Sequence, residues 1–197
     1  MGKRLNIGLD VDGVISDFTR SARKLCKQLF NGRPDDALVQ TSWAFDSLGI
    51  TPEEENILWR RIDTIPNWWL DHKSMDNTDL LPQLCEKHRV IFITNRKDGT
   101  GWPTEDQTKI WLKRNFGLNN TNVIISDRKG PVALGLKLAY WLDDRPKNVL
   151  EVIAASPETR SFLYNTTYNQ ECLGVDRVEN LNDFIRMILE ESGCQQS

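Results

Sequence analysis

The chain has 197 residues with 25 Lys and Arg against 28 Asp and Glu, a formal net charge of −3, so it lacks the basic field that a nucleic-acid polymer would require. Hydrophobic residues make up 39% and charged residues 27%, a globular composition that excludes a disordered or collagen-like chain. No run of about 18 apolar residues is present, which excludes a transmembrane helix and gives no reason to expect a membrane partner. The length suits one domain with an insertion better than two full-sized domains.

MGKRLNIGLD passes from basic residues straight into a strand-like segment, so no signal peptide and a cytosolic address are expected. Cys26, Cys85, Cys172 and Cys194 are scattered without a CxxC and read as reduced thiols. Leu5 to Leu9 reads as a strand that ends in the acidic turn Asp10-Val11-Asp12-Gly13. Phe18, Ala22, Leu25 and Leu29 then form the stripe of an amphipathic helix over 17–30, with Asp17 as either its cap or a partner of the acidic turn. From about Gly32 to Trp69 the pattern is helical but interrupted by Pro34, Pro52 and Pro66, which reads as a small helical insertion.

A further helix is expected to end near His88, and Val90 to Ile93 is an apolar run leading into Thr94, as in a strand covered on both faces. A helix over 104–116, with Thr104 as its N-cap, precedes a strand at Val123 to Ile125 and a turn over 126–129. Ala139 to Leu142 reads as a fourth strand ending at Asp143-Asp144, 146–155 as a helix, Ser161 to Tyr164 as a fifth strand and 181–191 as a closing helix. Strands alternating with helices predict an α/β fold with a mainly parallel sheet, whose ligands bind at the carboxyl ends of the strands. Asp10, Asp12, Thr94, the 126–129 turn, Asp143 and Asp144 all fall at such ends.

Three acidic strand ends brought together repel one another unless a cation sits among them, and hard oxygen ligands in a half-open site suit Mg²⁺. Mg²⁺ with few carboxylates points in turn to phosphate-ester chemistry. Asp10 is then the candidate nucleophile and Asp12, two residues on, the candidate general acid and base. The Thr94 hydroxyl and the Lys129 ammonium are candidate ligands of the phosphoryl oxygens, with Lys97, Lys109 and Lys137 as competitors for the lysine role. Asp143 and Asp144 join Asp10 and Asp12 as candidate metal ligands, although Asp143 and Asp144 could also cap the helix that follows.

LDVDGVISDF at 9–18, VIFITNR at 90–96, Lys129 in SDRKGP and YWLDDRP at 140–146 resemble the four ordered motifs of the haloacid dehalogenase (HAD) superfamily. The resemblance implies a Rossmann-like parallel core, over 1–17 and 86–197, with a helical cap over 18–85 inserted after the first strand. It also implies Mg²⁺ on the Asp10 carboxylate, the Asp12 backbone carbonyl and Asp143, with Asp144 beside them. The first and last motifs with the helical insertion look most like 5′(3′)-deoxyribonucleotidases, which implies nucleoside monophosphates as small-molecule substrates. By position in that group, Phe18 and the Trp68-Trp69 pair would hold the base. Asn95 and Arg96 stand where the group commonly has Ser and a residue other than Arg, and Asn95-Arg96 also resembles the class C acid phosphatases.

Arg96 can clamp phosphate or ribose, or pair with a surface carboxylate. One of the adjacent Trp68 and Trp69 is expected at a surface or a cleft, whereas Trp43 and Trp59 read as core residues. His72 and His88, which the chemistry does not need, read as surface residues. Alternatives to a nucleotidase are a phosphatase for sugar or other metabolite phosphates and a non-catalytic nucleotide-binding module. A homodimer is left open.

Overall fold

The structure, a computed structural model, describes residues 4–194; residues 1–3 and 195–197, and with them the side chain of Cys194, lie outside the described part. Six strands, β1 (Asn6–Leu9), β2 (Arg89–Thr94), β3 (Asn122–Ile125), β4 (Tyr140–Asp143), β5 (Arg160–Tyr164) and β6 (Arg177–Val178), form one sheet in the order β3-β2-β1-β4-β5-β6. Every pairing is parallel. Seven α-helices are described: α1 (Phe18–Leu29), α2 (Pro52–Thr64), α3 (Leu81–Lys87), α4 (Thr104–Phe116), α5 (Lys129–Leu136), α6 (Pro146–Ala155) and α7 (Leu181–Cys194).

The continuous apolar strands behave as the period of two dictates. Val90 and Phe92 of β2 enter a cluster with Leu84, Trp111, Phe184 and Ile188, while Ile91 and Ile93 enter a second one with Ala133, Trp141 and Val152. Both faces are therefore covered by helices, which is why the strands carry so few polar residues. Gly8 of β1 leaves the room that Trp141 fills, since a Cβ there would lie 2.6 Å from the indole.

Between β1 and β2 lies a third, separate cluster, built by Phe18, Leu25, Phe45, Leu48, Leu58, Ile62 and Trp69. Its helices start from strong local signals. Asp17 accepts the Arg20 N–H at 3.0 Å at the head of α1, and Thr51 and Glu54 form a reciprocal capping box behind Pro52 at the head of α2. Leu81 and Leu84 of α3 pack with the sheet's cluster and not with this one.

Two elements differ from expectation. Helix α5 follows the turn read over 126–129 in a stretch where no element is expected, because Gly130, Pro131 and Gly135 mask a helix whose apolar residues do not fall on one side. Strand β6 is only two residues long, too short to show a period. Thr104 is also not the cap of α4: Pro103 takes that position and Asp98 accepts the Thr104 N–H at 2.9 Å. Cys26, Cys85 and Cys172 are free thiols.

Candidate active site

The parallel register sets the strand ends level. Leu9 of β1 is paired with Phe92 of β2 and with Leu142 of β4, so the next residues along, Asp10, Ile93 and Asp143, emerge together at one edge. The Asp10 N–H closes the ladder on the Leu142 carbonyl at 2.9 Å, and Lys129 opens α5 one crossover away. Asp10, Asp143 and Asp144, 134 positions apart in the chain at the extremes, each offer a carboxylate oxygen within 4.8 Å of the others.

This floor is buried and charged. The Lys129 ammonium lies 3.0 Å from Asp10 Oδ1 and donates to the Ile93 carbonyl at 2.6 Å, and it is the lysine found at this position. Asp143 Oδ1 accepts the Arg145 N–H at 2.8 Å, and the Asn148 amide spans both its oxygens at 3.1 and 3.0 Å. Burial pushes the Asp10 carboxyl up, an effect that Lys129 opposes and Asp12 reinforces. Burial and the neighbouring Asp10 and Asp144 push Asp143 well above the carboxylate range, and burial with Asp10 pushes Asp144 up to about 8. One cationic side chain among three buried carboxylates leaves the set short of positive charge. Asp144 Oδ1 is buried with no hydrogen-bond partner among the described residues. The donor set, all hard oxygens, fits a divalent cation.

Asp12 is set up differently. Arg96, 2% exposed, donates to it through Nε and Nη2, both at 2.8 Å, and its third nitrogen donates to Thr108 Oγ1 at 3.1 Å. The guanidinium carbon stands 4.8 Å from the Trp69 ring centroid and 5.8 Å from that of Trp111. Burial alone would raise the Asp12 carboxyl; the Arg96 charge and hydrogen bonds outweigh it and hold Asp12 below the usual range. The Thr94 hydroxyl donates to the same carboxylate at 3.3 Å. Arg96 thus pairs with a carboxylate, and the carboxylate is in the site, not on the surface.

Above the floor is a cavity of about 250 Å³. Asp10, Asp12, Thr94, Asn95 and Arg96 line it below, and Phe18, Trp43, Trp59 and Trp69 line it above. Phe18 stacks on Trp59 with ring centroids 5.5 Å apart and planes 10° apart. Trp69 is fixed by its indole N–H on the Lys97 carbonyl at 3.2 Å and its backbone N–H on Gln107 at 3.1 Å. Trp68 turns the other way, its ring packed edge-on against His72 at 5.3 Å, and does not line the cavity.

Two readings of the sequence are corrected here. Trp43, read as core, is a wall residue of the cavity, whereas Trp59 packs on the apolar cluster of α1 and α2, as read, and lines the cavity as well. His72 and His88, read as surface residues, are 5% and 4% exposed. His72 faces Ser16 Oγ at 3.2 Å, and burial with the nearby Arg96 pushes its pKa down to about 4. Arg145 and Asn148 escaped notice although both lie within five residues of Asp143; the asparagine three positions into a helix that starts at a strand end was the available signal.

The sequence pattern of the family described as 5′ nucleotidase, deoxy (pyrimidine), cytosolic type C matches residues 4–192. No curated protein matches the chain significantly. Among solved structures, a HAD-hydrolase of Bacillus subtilis with magnesium bound is similar at TM-score 0.60 and 13% identity, covering 95% of this chain and 100% of that one. A HAD family hydrolase of Deinococcus radiodurans, with bound phosphate and sodium, gives 0.59 and 14% over 98% of each chain. A HAD-superfamily hydrolase of subfamily IA, variant 1, from Geobacter sulfurreducens gives 0.58 and 12%, over 95% of this chain and 97% of that one. At these identities the structures speak to the fold, which is the HAD fold.

Proposed function

Since the chain belongs to the 5′ nucleotidase, deoxy (pyrimidine), cytosolic type C family and is thus a phosphoric monoester hydrolase, we propose that it hydrolyses nucleoside 5′- or 3′-monophosphates, deoxynucleotides among them, with Mg²⁺. The observation that carries this reading is a junction: Asp10, one of three clustered carboxylates with the fully buried Asp143 and Asp144, lines a cavity walled by four aromatic side chains. A cavity of about 250 Å³ falls just below the roughly 300–1,000 Å³ usual for ligand sites and suits a mononucleotide far better than a polynucleotide end. The helical segment that carries the wall, proposed as a cap, shields the site from bulk water.

The Asp10 carboxylate attacks phosphorus as the bond to the nucleoside oxygen breaks, and Asp12 delivers its proton to that leaving oxygen. Asp12 then takes a proton from water, which attacks the aspartyl phosphate and frees inorganic phosphate and Asp10. Arg96 keeps Asp12 ionised in the free protein, the form that the second step needs. The charge of an arriving phosphate raises its proton affinity for the first step. Lys129, which reaches Asp10, and the Thr94 hydroxyl would hold phosphoryl oxygens, with Asn95 and Arg96 beside Thr94 in the cavity lining. Mg²⁺, held by Asp10, the Asp12 carbonyl and Asp143 with Asp144 beside them, would neutralise phosphoryl charge when bound. The family's cytosolic description supports a cytoplasmic site of action; among the described residues no helix is long and apolar enough to cross a membrane.

The test is a panel of nucleoside monophosphates and sugar phosphates at saturating Mg²⁺, scored by phosphate release. Nucleotides should lead the panel, EDTA should stop turnover, and Asp10→Asn should lose roughly 10⁴-fold or more in kcat. Preference for sugar phosphates would replace the substrate class, and an active Asp10→Asn would remove the nucleophile.

A further inference from the structure

The three carboxylates of the floor are held by three different partners. Lys129 holds Asp10, Asn148 holds Asp143, and Tyr168 holds Asp144 by donating its phenol hydrogen to Oδ2. Tyr168 lies 24 residues beyond Asp144, on the loop that follows β5. That loop is itself rigidly tied. Asn169 donates to the Asp144 and Tyr164 carbonyls, each at 2.8 Å, and Arg177 donates to Asn169 Oδ1 at 2.9 Å, to its carbonyl at 2.6 Å and to the Cys172 carbonyl at 2.8 Å.

The acidic turn is shaped around this pair. Gly13 has φ +87°, and a Cβ there would lie 2.3 Å from Asp144 Oδ2 and 2.9 Å from Tyr168 Oη. Glycine at 13 therefore serves the backbone turn and also leaves the space in which the phenol and the carboxylate meet. With Oδ2 taken by the phenol, the other oxygen of Asp144 is buried without a partner among the described residues. A fully buried carboxylate oxygen left bare beside two other carboxylates is costly unless a cation or a proton takes it.

The other side of Tyr168 meets the cavity wall. Its ring stands edge-on to Trp43 with centroids 5.8 Å apart, and the opposite contact of Trp43 is the Arg145 guanidinium at 4.3 Å. One residue earlier, the Thr167 hydroxyl donates to the Gln40 carbonyl at 2.5 Å, so consecutive loop residues grip the segment that carries Trp43.

We propose that Tyr168 is a positioning residue for the cation: its hydroxyl ties back one oxygen of Asp144 so that the other is presented to the ion, and its ring links that carboxylate to the Trp43 wall. The proposal rests on the cation site of the preceding section, but not on the identity of the substrate. Partners of metal ligands typically alter metal affinity by about 10- to 100-fold when removed, and Tyr168 should fall in that range.

The experiment is isothermal titration of Mg²⁺ into the full chain without substrate. Tyr168→Phe keeps the ring and loses the hydroxyl; it should bind Mg²⁺ at least about 10-fold more weakly. Its ion-free melting temperature should stay within a few degrees of wild type, which separates lost affinity from lost fold. Thr167→Val removes the neighbouring loop contact and should bind Mg²⁺ as wild type does. Adding Tyr168→Phe to Asp144→Asn should cost nothing further, because the hydroxyl acts through that carboxylate. Equal affinity of Tyr168→Phe and wild type, an equal loss in Thr167→Val, or independent effects in the double variant would each overturn the proposal. A wild-type chain that binds no Mg²⁺ would overturn the cation reading and this one with it.

Discussion

The floor and the wall of the cavity are stabilised in opposite ways. The wall is cohesive on its own: Phe18, Trp59 and Trp69 stack and tilt against one another and join the apolar cluster of α1 and α2. The floor is not, because burial displaces Asp10, Asp143 and Asp144 toward the protonated form, with the charge of Asp12 adding to it at Asp10 and that of Asp10 at Asp143 and Asp144. Asp12 stands between these regimes, less deeply buried than the floor carboxylates and balanced by one guanidinium. The difference teaches that substitutions in the floor should change what the protein binds and how its stability follows pH, whereas substitutions in the wall should change only which molecule it prefers.

The largest effect that sharpens this contrast is expected at Arg96. Removing one partner of a buried ion pair leaves the other uncompensated, at a cost of about 3–5 kcal/mol. Arg96→Ala should therefore melt roughly 6–20 °C below wild type, at about 2–4 °C per kcal/mol for a chain of this size. Arg96→Lys should recover only part, since a point charge cannot replace the two-pronged contact. An unchanged melting temperature in Arg96→Ala would mean that Asp12 does not depend on this pair.

Next in size is the response to pH. The floor carboxyls have native pKa values raised above the unfolded 3.8, so between pH 3.8 and the value near 8 of Asp144 the native state holds more protons than the unfolded one. Ion-free stability contributed by these groups is thus present at low pH and lost as pH rises through that window. Mg²⁺ requires the ionised forms and must displace those protons, so the rise in melting temperature on adding Mg²⁺ should be small at pH 5.5 and several-fold larger at pH 8. A rise independent of pH would show carboxylates already ionised and would dissolve the contrast between floor and wall.

The same division explains what could be read from the sequence. Floor residues are placed by backbone register: once LDVDG, IFITN and YWLDD are strands of one parallel sheet, Asp10, Thr94 and Asp143 have nowhere to go but a shared edge. Wall residues are placed by side-chain packing in a segment interrupted by prolines, and no periodicity told Trp68 from Trp69. The αL conformation of Asn67, φ 56°, sets the short turn that sends Trp69 inward, a backbone fact that the letters WW do not carry. His72 was misjudged for the same reason. Its burial comes from Phe18, Trp68 and Trp69 closing around it, not from any pattern on its own element. Lys129 could be named, but the helix it opens could not, because glycine and proline hide α5.

The smallest expected effect lies in the wall and separates adjacent tryptophans from stacked ones. Trp59 forms the outer half of the Phe18 stack and lines the cavity, so a base entering there loses a stacking face when it is removed. At about 1–3 kcal/mol per stacked base, Trp59→Ala should raise KM for nucleoside monophosphates roughly 5- to 150-fold. The KM of p-nitrophenyl phosphate, which reaches the floor without a base, should move little, and kcat for both should hold. Trp68→Ala, on the His72 side and away from the cavity, should leave both KM values near wild type. Equal rises for nucleotide and aryl phosphate in Trp59→Ala would mean that the wall only shapes the floor. A rise confined to Trp68→Ala would mean that the base binds on the far side of His72.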